Sequence, residues 1–80
     1  MLLEIITPDK TVYSGHVKLA QLPGVKGTFE ILNNHAPIIS TLSKGRIKVV
    51  EESGNELFFE VDGGIIENVD NKIIVLAESV

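Results

Sequence analysis

The chain has 80 residues, 44% of them apolar, and a formal net charge of -4 from 7 basic and 11 acidic side chains. That length makes one domain with a modest core, and the apolar fraction excludes disorder. Without cysteine there is no disulfide framework, thiol nucleophile or thiolate metal site, and an acidic chain with one Tyr and three Phe lacks the basic, ring-bearing surface of a nucleic-acid platform.

The apolar residues are chiefly β-branched. Ten Ile, nine Val and four Thr stand against three Ala, and such side chains lose rotamer freedom in helices but fit a pleated sheet. No window of about eleven residues carries a helical stripe, so little or no helix is predicted.

Leu2 to Thr7 reads as a first strand, stopped by Pro8-Asp9-Lys10. Thr11 to Leu22 is a longer run, with a bend or bulge at Ser14-Gly15 and an end at Pro23-Gly24. Val25-Lys26-Gly27 is a turn, Thr28 to Leu32 a strand, and Asn33-Asn34 another turn. Ile38 to Leu42 follows Pro37, and Ser43-Lys44-Gly45 reads as a tight turn before Arg46 to Glu51. Glu52-Ser53-Gly54-Asn55 is a hairpin tip, because Gly and Asn accept positive φ. Leu57 to Val61 is broken or bulged by Asp62-Gly63-Gly64. Ile65 to Val69 and Lys72 to Ala77 then flank Asp70-Asn71, which suits a two-residue hairpin loop.

Turns spaced about eight to twelve residues apart argue for an all-β fold, a single antiparallel β-sandwich of about ten strands. Ile73 to Ala77 is among the longest apolar runs, with five residues, against about 20 for a membrane helix. Met1-Leu2-Leu3-Glu4 has no basic stretch ahead of an apolar one, so no secretory leader is expected and a soluble intracellular protein is.

Chemistry is sparse. Ser40, His35 and Asp62 could be written as a triad, but no spacing or nucleophile elbow supports it. His35 reads as a structural or interface histidine in a turn before proline, and His16 as a solvated strand position. The two share no metal-binding spacing, and no metal or cofactor is expected. Gly24-Val25-Lys26-Gly27 lacks the phosphate-loop spacing and has no helix after it. Glu51, Glu52 and Glu56 form an acidic hairpin end that reads as a solvated tip. Lys44, at mid-chain in Ser43-Lys44-Gly45, is the position of the cofactor lysine in biotinyl and lipoyl carrier domains, which are also small and all-β. The Met-Lys or Asp-Lys-Ala context of those carriers is missing. Lys10, in Asp9-Lys10-Thr11, has a closer dipeptide but lies too near the N-terminus.

The segment from Leu22 to Pro37, with Gly24-Val25-Lys26-Gly27-Thr28-Phe29-Glu30-Ile31 and then His35-Ala36-Pro37, is distinctive. It resembles the epsilon subunit of F-type ATP synthases, which shows a Gly-x-x-Gly-x-Phe/Leu-x-Ile segment and a His-Ala-Pro turn. An apolar strand ending in Leu-x-x-Gly follows there, and here the continuation runs from Ile38 to Leu42-Ser43-Lys44-Gly45. The opening, Thr7-Pro8-Asp9 with Val12-Tyr13-Ser14-Gly15, is similar too. So is the ending, Val61-Asp62-Gly63-Gly64-Ile65-Ile66-Glu67-Asn68 with Ile73-Ile74-Val75-Leu76-Ala77-Glu78. The likeness runs from about residue 2 to 78, and several ordered motifs agree.

The resemblance implies a ten-stranded β-sandwich over residues 1–80, the N-terminal domain of that subunit. The C-terminal helical hairpin domain that many members carry is expected to be absent. It also implies a non-catalytic rotor subunit of a proton-translocating ATP synthase, at the cytoplasmic face of a bacterial cell membrane. Its partners would be the gamma subunit and the c-subunit ring. By the family's pattern, Val25, Lys26, Gly27, Thr28, Phe29 and Glu30 would face the polar loops of the c ring. Thr7, His35, Ala36, Pro37 and Ser40 would face gamma.

Overall fold

A residue alternation with period two gives a strand one buried and one outer face. The computed structural model describes all 80 residues, Met1–Val80, and contains only strands and turns. The strands are β1 (Leu2–Ile6), β2 (Thr11–Gly24), β3 (Gly27–Leu32), β4 (Ile38–Glu51), β5 (Glu56–Val69) and β6 (Lys72–Ala77). Their spatial order is β1-β6-β5-β4-β2-β3, and β1 also pairs with β2. The pairing therefore closes on itself, with β3 attached outside the ring along β2.

β2, β4 and β5 have 14 residues each and serve both layers of the fold. The first half of β2 pairs with β1, whereas Leu19–Gly24 pairs with β3 and β4. In β5, Glu56 to Asp62 pairs with β4 alone, and Gly64–Val69 pairs with β4 and β6. One layer thus holds β1, β6, the start of β2, the start of β4 and the end of β5. The other holds β3 with the remaining halves.

Each long strand changes phase as it crosses. In β5 the inward residues are Leu57, Phe59 and Val61, then Ile66 and Asn68. In β4 they are Ile38, Ser40 and Leu42, then Ile47 and Val49. In β2 the fully buried positions pass from Val17 to Ala20 and Leu22. Gly63 and Gly64, with φ of 112° and 151°, absorb the change in β5. A Cβ on Gly64 would collide with the Leu76 carbonyl oxygen. One on Gly45 would lie 2.8 Å from Cβ of Pro23, so the β4 backbone there packs directly against the proline ring of β2.

The strand number is accordingly six, not about ten. The expected breaks at Ser43-Lys44-Gly45 and at Asp62-Gly63-Gly64 are crossings inside continuous strands, where alternation resets but pairing with the neighbour keeps one register. Ser14-Gly15 likewise lies within β2. The sandwich is not wholly antiparallel either, because β1 and β6 pair in parallel from Leu2↔Lys72 to Ile6↔Leu76. Lys44 stands inside β4 and not at a hairpin tip, so the exposed tip lysine that a carrier domain presents is missing. The two short turns are as expected: Asp70 and Asn71 have φ of 52° and 62°, and Glu51 N–H donates to the Asn55 carbonyl at 2.8 Å across the acidic tip.

Fifteen buried apolar residues form one core between the layers, among them Leu3, Ile5, Leu22, Ile31, Ile47, Ile66 and Val75. Tyr13 packs at its margin, its ring 5.5 Å from that of Phe59. Its hydroxyl donates to Glu51 Oε2 at 2.7 Å and ties the start of β2 to the end of β4. Burial, then the hydrogen bond to Glu51 and the charge of that carboxylate, pushes the phenol up to about 12.

Two outcomes are expected. Gly64→Ala should lower unfolding free energy by about 2 kcal/mol or more in urea melts, since strain and collision act together. Because the folded phenol titrates above the ordinary value, its contribution is intact below pH 10 and is lost as pH rises towards 12. Tyr13→Phe should flatten that alkaline limb of a stability-against-pH curve.

Candidate functional site

The β2–β3 hairpin tip is open to solvent. Val25 is 58% exposed, and Lys26, Gly27, Thr28 and Glu30 are also exposed. Gly27 has φ of 124°, a conformation that L side chains seldom adopt, and it lets Val25 and Lys26 reverse the chain. Phe29 differs from its neighbours: it is half-buried against the core and its ring covers Gly24. Val25 N–H donates to the Thr41 carbonyl at 3.2 Å, so the tip leans on the start of β4. A hollow of about 540 Å³ lies between them, lined by Val25 to Phe29 and by Ile38 to Thr41.

The His35-Ala36-Pro37 turn is exposed but held from beneath. Asn68, 1% exposed, donates through Nδ2 to the carbonyls of His35 and Ala36, both at 3.3 Å. Asn34 has φ of 63°, and its N–H donates to Asn71 Oδ1 at 2.8 Å. The turn is therefore fixed to both ends of the β5–β6 hairpin loop. His35 Nδ1 lies 2.7 Å from the Ala36 carbonyl oxygen.

The residues expected to face gamma do not form one cluster. Ser40 lines the hollow beside the hairpin tip, in company with the residues expected to face the c ring. Thr7 follows Ile6 at one end of the β1–β6 pair, and the His35 turn sits at the other, near Asn71. Five residues of strand, about 17 Å, separate those ends. The paper triad is not assembled: Ser40 pairs with Ile66, four residues along β5 from Asp62. The carboxylate of Asp62 accepts the Ser79 hydroxyl at 2.7 Å.

Two features escaped sequence reading. One is Asn68, whose parity with buried Ile66 marks it as inward. The other is an apolar outer face. Ile39, Ile65 and Leu76 are 72%, 49% and 53% exposed. Ile65 and Leu76 are register partners, and Leu76 pairs in turn with Ile6. Ile74 and Val69 extend the face, Glu67 stands within it as register partner of both Ile39 and Ile74, and the Lys72–Glu4 pair at 3.7 Å borders it.

Comparison with known proteins identifies this architecture. The model of the ATP synthase Delta/Epsilon chain, beta-sandwich domain, matches residues 1–80. The chain belongs to this family. It is 37% identical over 78 residues to the ATP synthase epsilon chain of Chlorobium limicola, covering 98% of this chain and 89% of that one. It is 39% identical over 79 residues to the epsilon chain of Desulfatibacillum aliphaticivorans, where the match covers 99% of this chain but 56% of the relative. The fold recurs with a TM-score of 0.90 and 17% identity in a chain of the Euglena gracilis mitochondrial ATP synthase, seen by cryo-EM. That match covers 99% of this chain and 51% of the Euglena one, so the sandwich is about half of the longer chain. Membership supports reading the chain as an ATP synthase epsilon subunit sandwich, the resemblance drawn from the Gly-x-x-Gly segment and the His-Ala-Pro turn.

Asn68 gives a direct test of the turn. Asn68→Ala removes both donors to the His35 and Ala36 carbonyls and should cost about 2 kcal/mol of stability. Amide exchange should quicken from Asn33 to Ala36 more than in β2.

Proposed function

We propose that this chain is a non-catalytic rotor subunit of a proton-translocating ATP synthase, linking the gamma subunit to the c ring and helping to couple proton flow to ATP synthesis. The observation that carries the reading is the apolar outer face of Ile39, Ile65 and Leu76 on a member of the epsilon-chain family. A small acidic domain leaves such a contiguous face uncovered where a partner covers it. Gamma is the partner assigned to that face. A surface long enough to touch both Thr7 and the His35 turn must cross it, with Ile74 and Leu76 between.

The c ring is assigned to the hairpin tip, where Lys26, Thr28 and Glu30 offer polar groups on a rigid base. Ser40 lies where the two regions adjoin, so one residue would feel both partners. No helix is long and apolar enough to cross a membrane. The proposed attachment is peripheral, through the complex, at the cytoplasmic face of a bacterial membrane. Docking would add to the stability of a small core by mass action.

A pull-down with gamma, alone and with the c ring present, tests the assignment. Specific one-to-one binding strengthened by the ring is expected. Ile65→Asp should weaken gamma binding at least tenfold, about 1.4 kcal/mol, because it buries an unpaired charge between Leu76 and Glu67 on the face. Thr28→Arg should impair ATP-driven proton pumping more than Ser53→Arg on the acidic tip. Failure to bind by a chain with an intact β-sheet spectrum would overturn the reading.

A further inference from the structure

The outer face of the second layer has a different chemistry. Lys44, Arg46 and Lys48 project from alternate positions of β4 and account for three of the chain's seven basic residues. They line a hollow of about 510 Å³ together with Gln21, Ser43 and Thr28, and no carboxylate lines it. Three carboxylates lie nearby, each already hydrogen-bonded, two of them to residues of the hollow itself. Glu60 holds Arg46 Nε at 3.2 Å, Asp62 accepts the Ser79 hydroxyl at 2.7 Å, and Glu30 accepts Gln21 Nε2 at 3.4 Å. Arg46 is further positioned over the Phe58 ring, 5.3 Å from its centroid. Neither Lys44 nor Lys48 has a carboxylate within ion-pair distance.

Like charges along one face repel, and a basic row of this kind is stabilised by an anion between them. The concavity matters as much as the charge. A flat row of lysines offers separate point charges to water, whereas a hollow with hydroxyl and amide groups on its walls lets one oxyanion meet several donors at once. The available donors are two ammonium groups, the free guanidinium edge of Arg46 and the hydroxyl of Thr28. Several charge-assisted donors around one hollow suit a phosphoryl group.

We propose that this hollow is an anion site for a phosphoryl group, either as free phosphate or nucleotide or as a phospholipid headgroup. The site is independent of the apolar face and involves no bond-making step. Exposed charge pairs bind weakly, so the dissociation constant for inorganic phosphate should be on the order of 1 mM.

The test is a titration of the full chain, labelled with nitrogen-15, by inorganic phosphate at constant ionic strength, with chloride as control. Saturable shifts at Lys44 to Lys48 and at Thr28 are expected. Lys44→Gln and Lys48→Gln should each weaken binding about tenfold, the change one charge-assisted hydrogen bond supplies. Lys18→Gln, on exposed β2 outside the hollow, should leave it unaltered and reports any general charge effect. A second arm measures sedimentation with phosphatidylglycerol against phosphatidylcholine vesicles. Binding to phosphate or ADP identifies a soluble source, and Lys44- and Lys48-dependent binding to phosphatidylglycerol alone identifies the headgroup. Shifts that chloride reproduces, an equal loss in Lys18→Gln, or no binding in either arm by folded protein would overturn the proposal.

Discussion

A strand can belong to two packed sheets only if its alternation changes phase where it crosses, and everything else in this molecule depends on that constraint being met three times. β2, β4 and β5 must present apolar side chains to one core from two directions. Each achieves this by skipping a beat in the inward pattern. Glycine makes the skip feasible in β5, because Gly63 and Gly64 take positive φ and Gly64 approaches the Leu76 carbonyl more closely than a side chain would permit. With the crossings in place, a few buried aliphatic residues suffice for one continuous core.

The same constraint explains what the sequence discloses and what it hides. The all-β class, the Asp70-Asn71 hairpin loop and the acidic tip follow from β-branched composition and from Asn and Gly at positive φ. The number of strands does not, because a reset of alternation looks the same as a strand end. Ser43-Lys44-Gly45 carries the small residues of a turn, yet its backbone continues to pair with β5 on one register. The parallel pairing of β1 with β6 is invisible for another reason: its partners lie at opposite ends of the chain, and no local pattern encodes it. At the candidate site, the exposed hairpin tip and the His35 turn were legible from their Gly and Pro residues. Asn68 beneath that turn was not, since its meaning depends on a phase that shifts at Gly64. The outward direction of Ile39 and Ile65 was hidden likewise.

The two outer faces divide the labour. One is largely apolar, with Glu67 set among Ile39, Ile65 and Ile74. The other carries a basic row between bonded carboxylates and stays wet. The hairpin tip joins them at the edge, and its lean against Thr41 means that displacement of the tip is felt at the start of β4. A domain can carry information in this way, by holding dissimilar surfaces at fixed mutual orientation.

The closed pairing order has a mechanical consequence. In an open sheet an edge strand can be peeled away one hydrogen bond at a time. Here β1 is bonded on both sides, to β2 and to β6, and cannot be peeled away in that manner. A twisting load entering through the apolar face and leaving through the hairpin tip would act on many ladder bonds in shear, all of which must break together. β3 is the one whole strand attached along a single edge, and it is the freest to give.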